Sequence, residues 1–134
     1  MYDYLKPELN NELRTISTLG LAHVGDAVYE LMVRTMLCCG GVSSAKQLHG
    51  GTVGYVAAKA QAEAAEKIMP ELDDEEMAVF KRGRNAFANS APRASTYSEY
   101  HAATGLETLF GYLYLKGKTQ RLNELFEMMI SADT

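Results

Sequence analysis

The 134-residue chain has no tryptophan, three prolines and only two cysteines, Cys38 and Cys39, which are adjacent. Neighbouring cysteines rarely close a disulfide, because the ring is strained. No covalent staple is therefore available, and a reducing compartment, the cytoplasm, fits best. The pair also lacks the further Cys or His cluster that four-coordinate zinc needs, so the two are read as small apolar fillers at a helix end. No apolar run approaches the roughly 20 residues of a membrane span. The segment Met1-Tyr2-Asp3-Tyr4-Leu5-Lys6-Pro7 has neither the basic nor the apolar stretch of a secretion signal, and it is no Arg- and Ser-rich transit peptide. His23, His49 and His101 are scattered, without HExxH or ExxH spacing or an adjacent His-Asp pair, which argues against zincins, ferritin-like di-iron proteins and HD-type phosphohydrolases. A Gly-rich phosphate loop and a GxSxG elbow are missing too. Basic charge is scarce: the net charge is −4 and the pI about 5.4. On average that counts against a nucleic-acid partner, so any such contact must come from a local patch.

The composition, 47% hydrophobic and 22% charged, is that of an ordinary soluble globular protein. The length suits one domain, 1–134, with one core. Repeats and low-complexity tracts are absent, and β-alternation is nowhere sustained, so the expected fold class is all-α. A first helix is expected from near Asn10 or Asn11, with a kink near Gly20 and an end before Gly40-Gly41. Its buried stripe is read as Leu21, Val24, Val28, Leu31, Met32 and Thr35. Ser43 or Ser44 caps a short helix to about His49, broken by Gly50-Gly51. A long helix follows from about Thr52 to Met69 and stops at Pro70. Asp73 or Asp74 opens another, to about Asn85. Between Phe87 and Tyr100 the pattern fails, and a long functional loop is expected. Helices from about Tyr100 to Lys116 and from Thr119 to Ala132 close the chain.

Two acids sit where helices rarely keep them. Asp26 lies in the apolar stretch Leu21-Ala22-His23-Val24-Gly25-Asp26-Ala27-Val28-Tyr29-Glu30-Leu31. Aspartate is a poor helix-interior residue, and Gly25 beside it costs about 1 kcal/mol relative to alanine. Glu107 stands in Thr104-Gly105-Leu106-Glu107-Thr108-Leu109-Phe110-Gly111, again among glycines. Two helices packed through those glycines would bring the acids together, and such a pair suits a hard, oxygen-preferring cation such as Mg²⁺. The other reading is two solvated acids on outer helix faces. Glu30, one turn after Asp26, either supports that site or pairs with Arg34 at i+4.

The second feature is Lys81-Arg82-Gly83-Arg84-Asn85 followed by Arg93, a basic stretch without acids. It is the best phosphate-contacting candidate in an acidic chain. The alternative is a helix end whose cations answer the macrodipole.

These segments resemble a known family. Gly25-Asp26-Ala27-Val28-Tyr29-Glu30 is similar to the core of the ribonuclease III signature helix. Arg82-Gly83-Arg84-Asn85-Ala86 resembles that family's Arg-Gly-Arg-Asn segment. Thr104-Gly105-Leu106-Glu107-Thr108-Leu109-Phe110-Gly111-Tyr112-Leu113-Tyr114-Leu115 resembles its second metal-binding helix. All three come in family order. Leu48-His49, Ala57-Ala58-Lys59-Ala60-Gln61-Ala62 and Tyr100-His101-Ala102-Ala103-Thr104 are similar to stretches typical of the Mini-ribonuclease III branch. The chain stops soon after the last of these helices, so no double-stranded-RNA-binding domain is expected.

The resemblance implies a homodimeric, ribonuclease III endonuclease-domain-like helical bundle, with the signature helix at the interface and Val24, Gly25, Val28 and Leu31 as contacts. It implies that Asp26 and Glu107 are the metal-binding and catalytic carboxylates, with Mg²⁺ as cofactor and Glu30 and Thr104 in support. Full-length family members carry two further carboxylates; here Ala22 and Thr104 occupy those positions, as is characteristic of the Mini branch. The implied metal is weakly held and largely hydrated, completed by substrate phosphate. Lys59, Lys81, Arg82, Arg84, Asn85 and Arg93 are the implied RNA contacts. The implied activity is cleavage of double-stranded RNA to 5′-phosphate and 3′-hydroxyl ends, trimming precursor 23S ribosomal RNA. The alternatives are a related domain that binds structured RNA without cutting it, and a helical scaffold dimer unrelated to RNA.

Overall fold

A computed structural model describes residues 2–86 and 97–131, and among these every regular element is helical. The all-α expectation holds. A 3₁₀ turn, Asn11–Thr15, precedes α1 (Thr18–Cys39). Then come α2 (Ala45–Val56), α3 (Ala58–Ile68), a 3₁₀ turn at Met69–Glu71, α4 (Asp74–Asn85), α5 (Tyr97–Leu115) and α6 (Thr119–Ile130). Local chemistry sets several starts. The Ser17 and Ser44 hydroxyls accept from the Gly20 and Gln47 amides. Asp73 and Glu76 form a reciprocal capping box on α4.

Helix α5 is the axis of the molecule. It is buried on nearly every side, by Leu106, Leu109, Phe110 and Leu113 among others, and α1, α3, α4 and α6 pack around it. Tyr29 of α1 meets Phe110 of α5 edge-on at 5.6 Å and Phe126 of α6 at 6.1 Å. Its hydroxyl donates to the Tyr55 carbonyl at 3.2 Å, and burial pushes its pKa up to about 12.

The structure corrects several boundaries and faces. The first helix starts at Thr18 rather than near Asn10, because Ser17 caps it and the preceding residues form a separate 3₁₀ turn. Helix α2 runs through Gly50-Gly51, since Thr52 is buried and Leu48, Tyr55 and Val56 are partly buried; tertiary packing outweighs two poor helix formers. The expected Thr52–Met69 helix is instead interrupted at Ala57, which is extended (φ −61°, ψ 146°). On α1 the buried residues are Leu21, Ala22, Gly25, Tyr29 and Val33, whereas Leu31 is 60% exposed and Thr35 is exposed. The core-facing stripe is turned away from the expected one because Gly25, not the larger aliphatics, meets α5. Cys38 and Cys39 are free and exposed at the end of α1, not fillers. Most of the expected Phe87–Tyr100 loop, with Arg93, lies outside the described residues, and α5 already begins at Tyr97.

Candidate active site

The site begins with two glycines. A Cβ on Gly25 would lie 1.6 Å from the Glu107 carbonyl oxygen, and one on Gly111 would lie 1.9 Å from the Leu21 carbonyl oxygen. The contact is reciprocal: each glycine lies beneath a carbonyl of the other helix, so α1 and α5 touch backbone to backbone. Only residues without a side chain permit this approach. Asp26 follows Gly25, and Glu107 carries the carbonyl that Gly25 meets. The two carboxyls are consequently neighbours, close enough to share a hydrogen bond. Gly25 is spent on this internal contact and is not free for a subunit interface.

Asp26 is exposed and Glu107 half-buried. Burial of Glu107, the adjacent Asp26 charge and the hydrogen bond with Asp26 push the Glu107 pKa up to about 8, while the Gln61 side chain pulls it the other way. Without a cation, burial and the neighbouring charge disfavour ionising Glu107 beside Asp26. Two adjacent oxygen ligands that resist sharing full negative charge suit a divalent, oxygen-preferring ion, which offsets that charge. A second observation supports this fit. Gln61 is 3% exposed, and its Oε1 has no hydrogen-bond partner among the described residues.

The site is sparse. No group of three or more His, Cys, Asp or Glu is arranged to hold a metal among the described residues. Ala22, one turn before Asp26, is buried. Thr104, one turn before Glu107, is buried with its hydroxyl donating to the Tyr100 carbonyl at 2.9 Å. Neither position offers a further carboxylate. Glu30 forms an ion pair with Arg34 at 3.1 Å, the plainer of its two expected roles.

The basic residues lie at the end of α4 and beside it. Arg82 and Arg84 occupy its last turn, opposite Asp74, Glu75 and Glu76 in the first, which the helix dipole favours. Lys81 and Asn85 are exposed. Arg82 is already engaged: its Nε donates to Thr18 Oγ1 at 2.6 Å and its Nη2 to the Ile16 carbonyl at 3.4 Å, tying α4 to the start of α1. Arg84 sits over the Phe80 ring at 5.9 Å. Lys59 and Arg84 line one groove between α3, α4 and α5, together with the acids Glu63, Glu66 and Glu99. A second glycine contact sets this face, since Gly83 packs on Thr108 and Gly105 on the Phe80 carbonyl.

Gln61 had no assigned role in the sequence reading. The available signal was its place on the buried stripe of α3 with Ala64, Ala65 and Ile68, where it is the only polar residue.

The ribonuclease III domain family matches residues 19–118, three quarters of the chain and both carboxylates. A protein of Thermoanaerobacter sp. (strain X514) named Mini-ribonuclease 3 is 42% identical over 127 residues, covering 90% of this chain and 89% of that one. A Mini-ribonuclease 3 of Symbiobacterium thermophilum is 43% identical over 113 residues, covering 84% and 87%. A crystal structure of a Fusobacterium nucleatum protein superposes with a TM-score of 0.82 at 32% identity, covering 92% of this chain and 100% of that one. Those likenesses and the paired carboxylates agree: the chain belongs to the ribonuclease III family, in its Mini-ribonuclease III branch, and is an endoribonuclease.

Proposed function

We propose that the protein is a Mg²⁺-dependent, homodimeric endoribonuclease that cuts double-stranded RNA, with Asp26 and Glu107 as its metal-binding and catalytic residues. The observation that carries this reading is the reciprocal Gly25–Gly111 contact, which brings those two carboxylates together. Mg²⁺ held there would activate a water and stabilise charge on the departing 3′ oxygen, leaving 5′-phosphate and 3′-hydroxyl ends. Asp26, being exposed, would be the carboxylate open to such an ion. Glu107, more recessed, would be the second carboxylate to hold that ion. Ala22 and Thr104 withhold further charge, so the cation depends on substrate for part of its hold.

Lys59, Lys81, Arg82, Arg84, Asn85 and Arg93 are proposed as RNA contacts, with Glu30 and Thr104 in support of the site. A-form RNA is read through phosphates and 2′-hydroxyls rather than bases, so a few dispersed cations suffice. Among the described members, Lys59, Lys81 and Arg82 are exposed, and Arg82 must leave or share its bonds to Thr18 and Ile16.

An apolar groove between α1 and α6, lined by Leu5, Val28, Leu31, Met32, Phe126 and Ile130, supports the dimer. Exposed Leu31 on its rim is a surface that a second subunit would cover. Each subunit's site then cuts one strand. No helix among the described residues is long and apolar enough to cross a membrane. We place the enzyme in the cytoplasm as one catalytic domain, 1–134, trimming the ends of precursor 23S ribosomal RNA.

The test is cleavage of a bare RNA duplex and of a 23S precursor by purified protein, with Mg²⁺ and with chelator. Mg²⁺-dependent cutting in both strands is expected. No cutting of either RNA, or cutting undiminished by chelator, contradicts the proposal.

A further inference from the structure

We propose that Thr18 is a positioning residue for Arg82: its hydroxyl, with the Ile16 carbonyl, holds one edge of the guanidinium and leaves the remaining N–H groups for a phosphate of the RNA backbone. This rests on the reading of Arg82 as an RNA contact and deepens it.

Arg82 stands in the last turn of α4 and reaches the start of α1. Its Nε donates to Thr18 Oγ1 at 2.6 Å and its Nη2 to the Ile16 carbonyl at 3.4 Å. Ile16 is extended (φ −87°, ψ 126°) and precedes the Ser17 cap, so its carbonyl lies outside the hydrogen-bond ladder of α1. Nε and Nη2 form one edge of a planar group that carries five N–H donors. Nη1 has no acceptor among the described residues, and Arg82 is exposed.

The charge of the acceptors sets Arg82 apart. Arg34 spends its cation on Glu30, and Arg121 on Glu76 and Glu124. Arg82 has a hydroxyl and a peptide carbonyl instead, and no carboxylate pairs with it among the described residues. Its head is thus held without being neutralised. Its backbone is held as well: Gly83, the next residue, packs so closely on α5 that a Cβ there would lie 2.2 Å from Thr108 Oγ1. Bracing α4 on α1 needs no net charge, whereas a fixed guanidinium with donors to spare matches the geometry of phosphate. Ordering a free, rotamer-rich side chain at an interface costs about two- to tenfold in affinity. An arginine already tethered by Thr18 escapes most of that cost.

The test compares binding of a fluorescently labelled, fully paired RNA duplex, followed by anisotropy in chelator, where no strand is cut. The proteins are the parent, Thr18→Val, Thr18→Ser, Arg82→Ala and the Thr18→Val/Arg82→Ala double variant, each well below its melting midpoint. Valine keeps the shape of threonine but cannot accept the Nε hydrogen bond. Thr18→Val is expected to bind about three- to tenfold more weakly, Thr18→Ser to recover most of that loss, and Thr18→Val to cost nothing further once Arg82 is alanine. With Mg²⁺, the Thr18→Val loss should appear in KM rather than kcat; a merely structural shift of α1 would displace Asp26 and lower kcat. Parent-like affinity in Thr18→Val overturns the proposal, as does an equal loss in the Arg82→Ala background or a loss confined to kcat. Thr18→Ala poses the same comparison if the valine variant does not fold. Arg82→Ala binding the duplex as the parent does, or no binding by the parent, overturns the RNA reading of Arg82 and this inference with it.

Discussion

Gly25→Ala is the sharpest test of how the site is built. Inside a helix, alanine is intrinsically better than glycine by about 1 kcal/mol, so propensity alone predicts a more stable protein. The α1–α5 contact predicts the reverse. The new Cβ would fall 1.6 Å from the Glu107 carbonyl oxygen, and real Cβ atoms essentially never come within 3.0 Å of such an atom. Carbonyls cannot rotate away as a side chain can, so the helices must part by roughly 1.4 Å or more. Overpacking usually costs 1–3 kcal/mol with flexible neighbours, and a backbone neighbour sets the net loss here at about 3 kcal/mol or more. For a chain of this length about 1 kcal/mol corresponds to roughly 3–4 °C in melting temperature, so a fall of about 10 °C is expected at fixed protein concentration. Gly50→Ala is the internal control. Gly50 is also helical, in α2, but a Cβ there meets nothing within 4 Å. It should raise the melting temperature by about 2–4 °C. If Gly25→Ala melts at or above the parent, the backbone contact that joins the carboxylates is wrong.

Other expectations concern charge. Burial and Asp26 raise the Glu107 pKa above its unfolded value, so in chelator this group's contribution is intact below about pH 4.5 and is lost as pH rises to about 8. Glu107→Gln should therefore melt above the parent in chelator at pH 8.5, and added Mg²⁺ should narrow the gap; melting below the parent there counts against the shared-proton pair. Glu76 behaves oppositely. Arg121, at 2.8 Å, holds this buried carboxylate below its ordinary range, so its contribution is full above about pH 4.5 and fades as pH falls through its folded pKa. Glu76→Gln should cost about 3 kcal/mol at pH 7 and progressively less as pH falls below about 4.5, and a cost that does not change with acidification refutes the pairing. Arg82→Ala should lower stability by about 1 kcal/mol through its lost bonds to Thr18 and Ile16. Lys81→Ala should leave melting unchanged yet reduce the salt slope of RNA binding by about one; an unchanged slope removes Lys81 from the RNA surface.

The sequence made the helical class and the functional acids legible for different reasons. Capping chemistry at Ser44 and Asp73 is local, and those starts are where the sequence puts them. Asp26 and Glu107 stood out because each is an acid beside helix-weakening glycines in an apolar helix. The glycines foretold the helix approach, but only the packed structure says that Gly25 meets the Glu107 carbonyl and Gly111 that of Leu21. What stayed hidden is tertiary. Gly50-Gly51 signals a break that packing around Thr52 overrides. Nothing in Ala57-Ala58-Lys59-Ala60 signals the break that occurs there. The inward face of α1 could not be phased from hydrophobicity alone, since Leu31 points out while Gly25 points in.

The central claim is that Asp26 and Glu107 act as one cation-dependent unit. A double-mutant cycle in duplex cleavage tests it most directly, with Asp26→Asn, Glu107→Gln and the pair assayed at saturating Mg²⁺. Residues that act as a unit are strongly non-additive. Each single change should lower the cleavage rate by at least about a hundredfold, and the double variant should be little slower than either. Losses that multiply in the double variant, or a single variant that cuts at the parent's rate, would contradict a shared site.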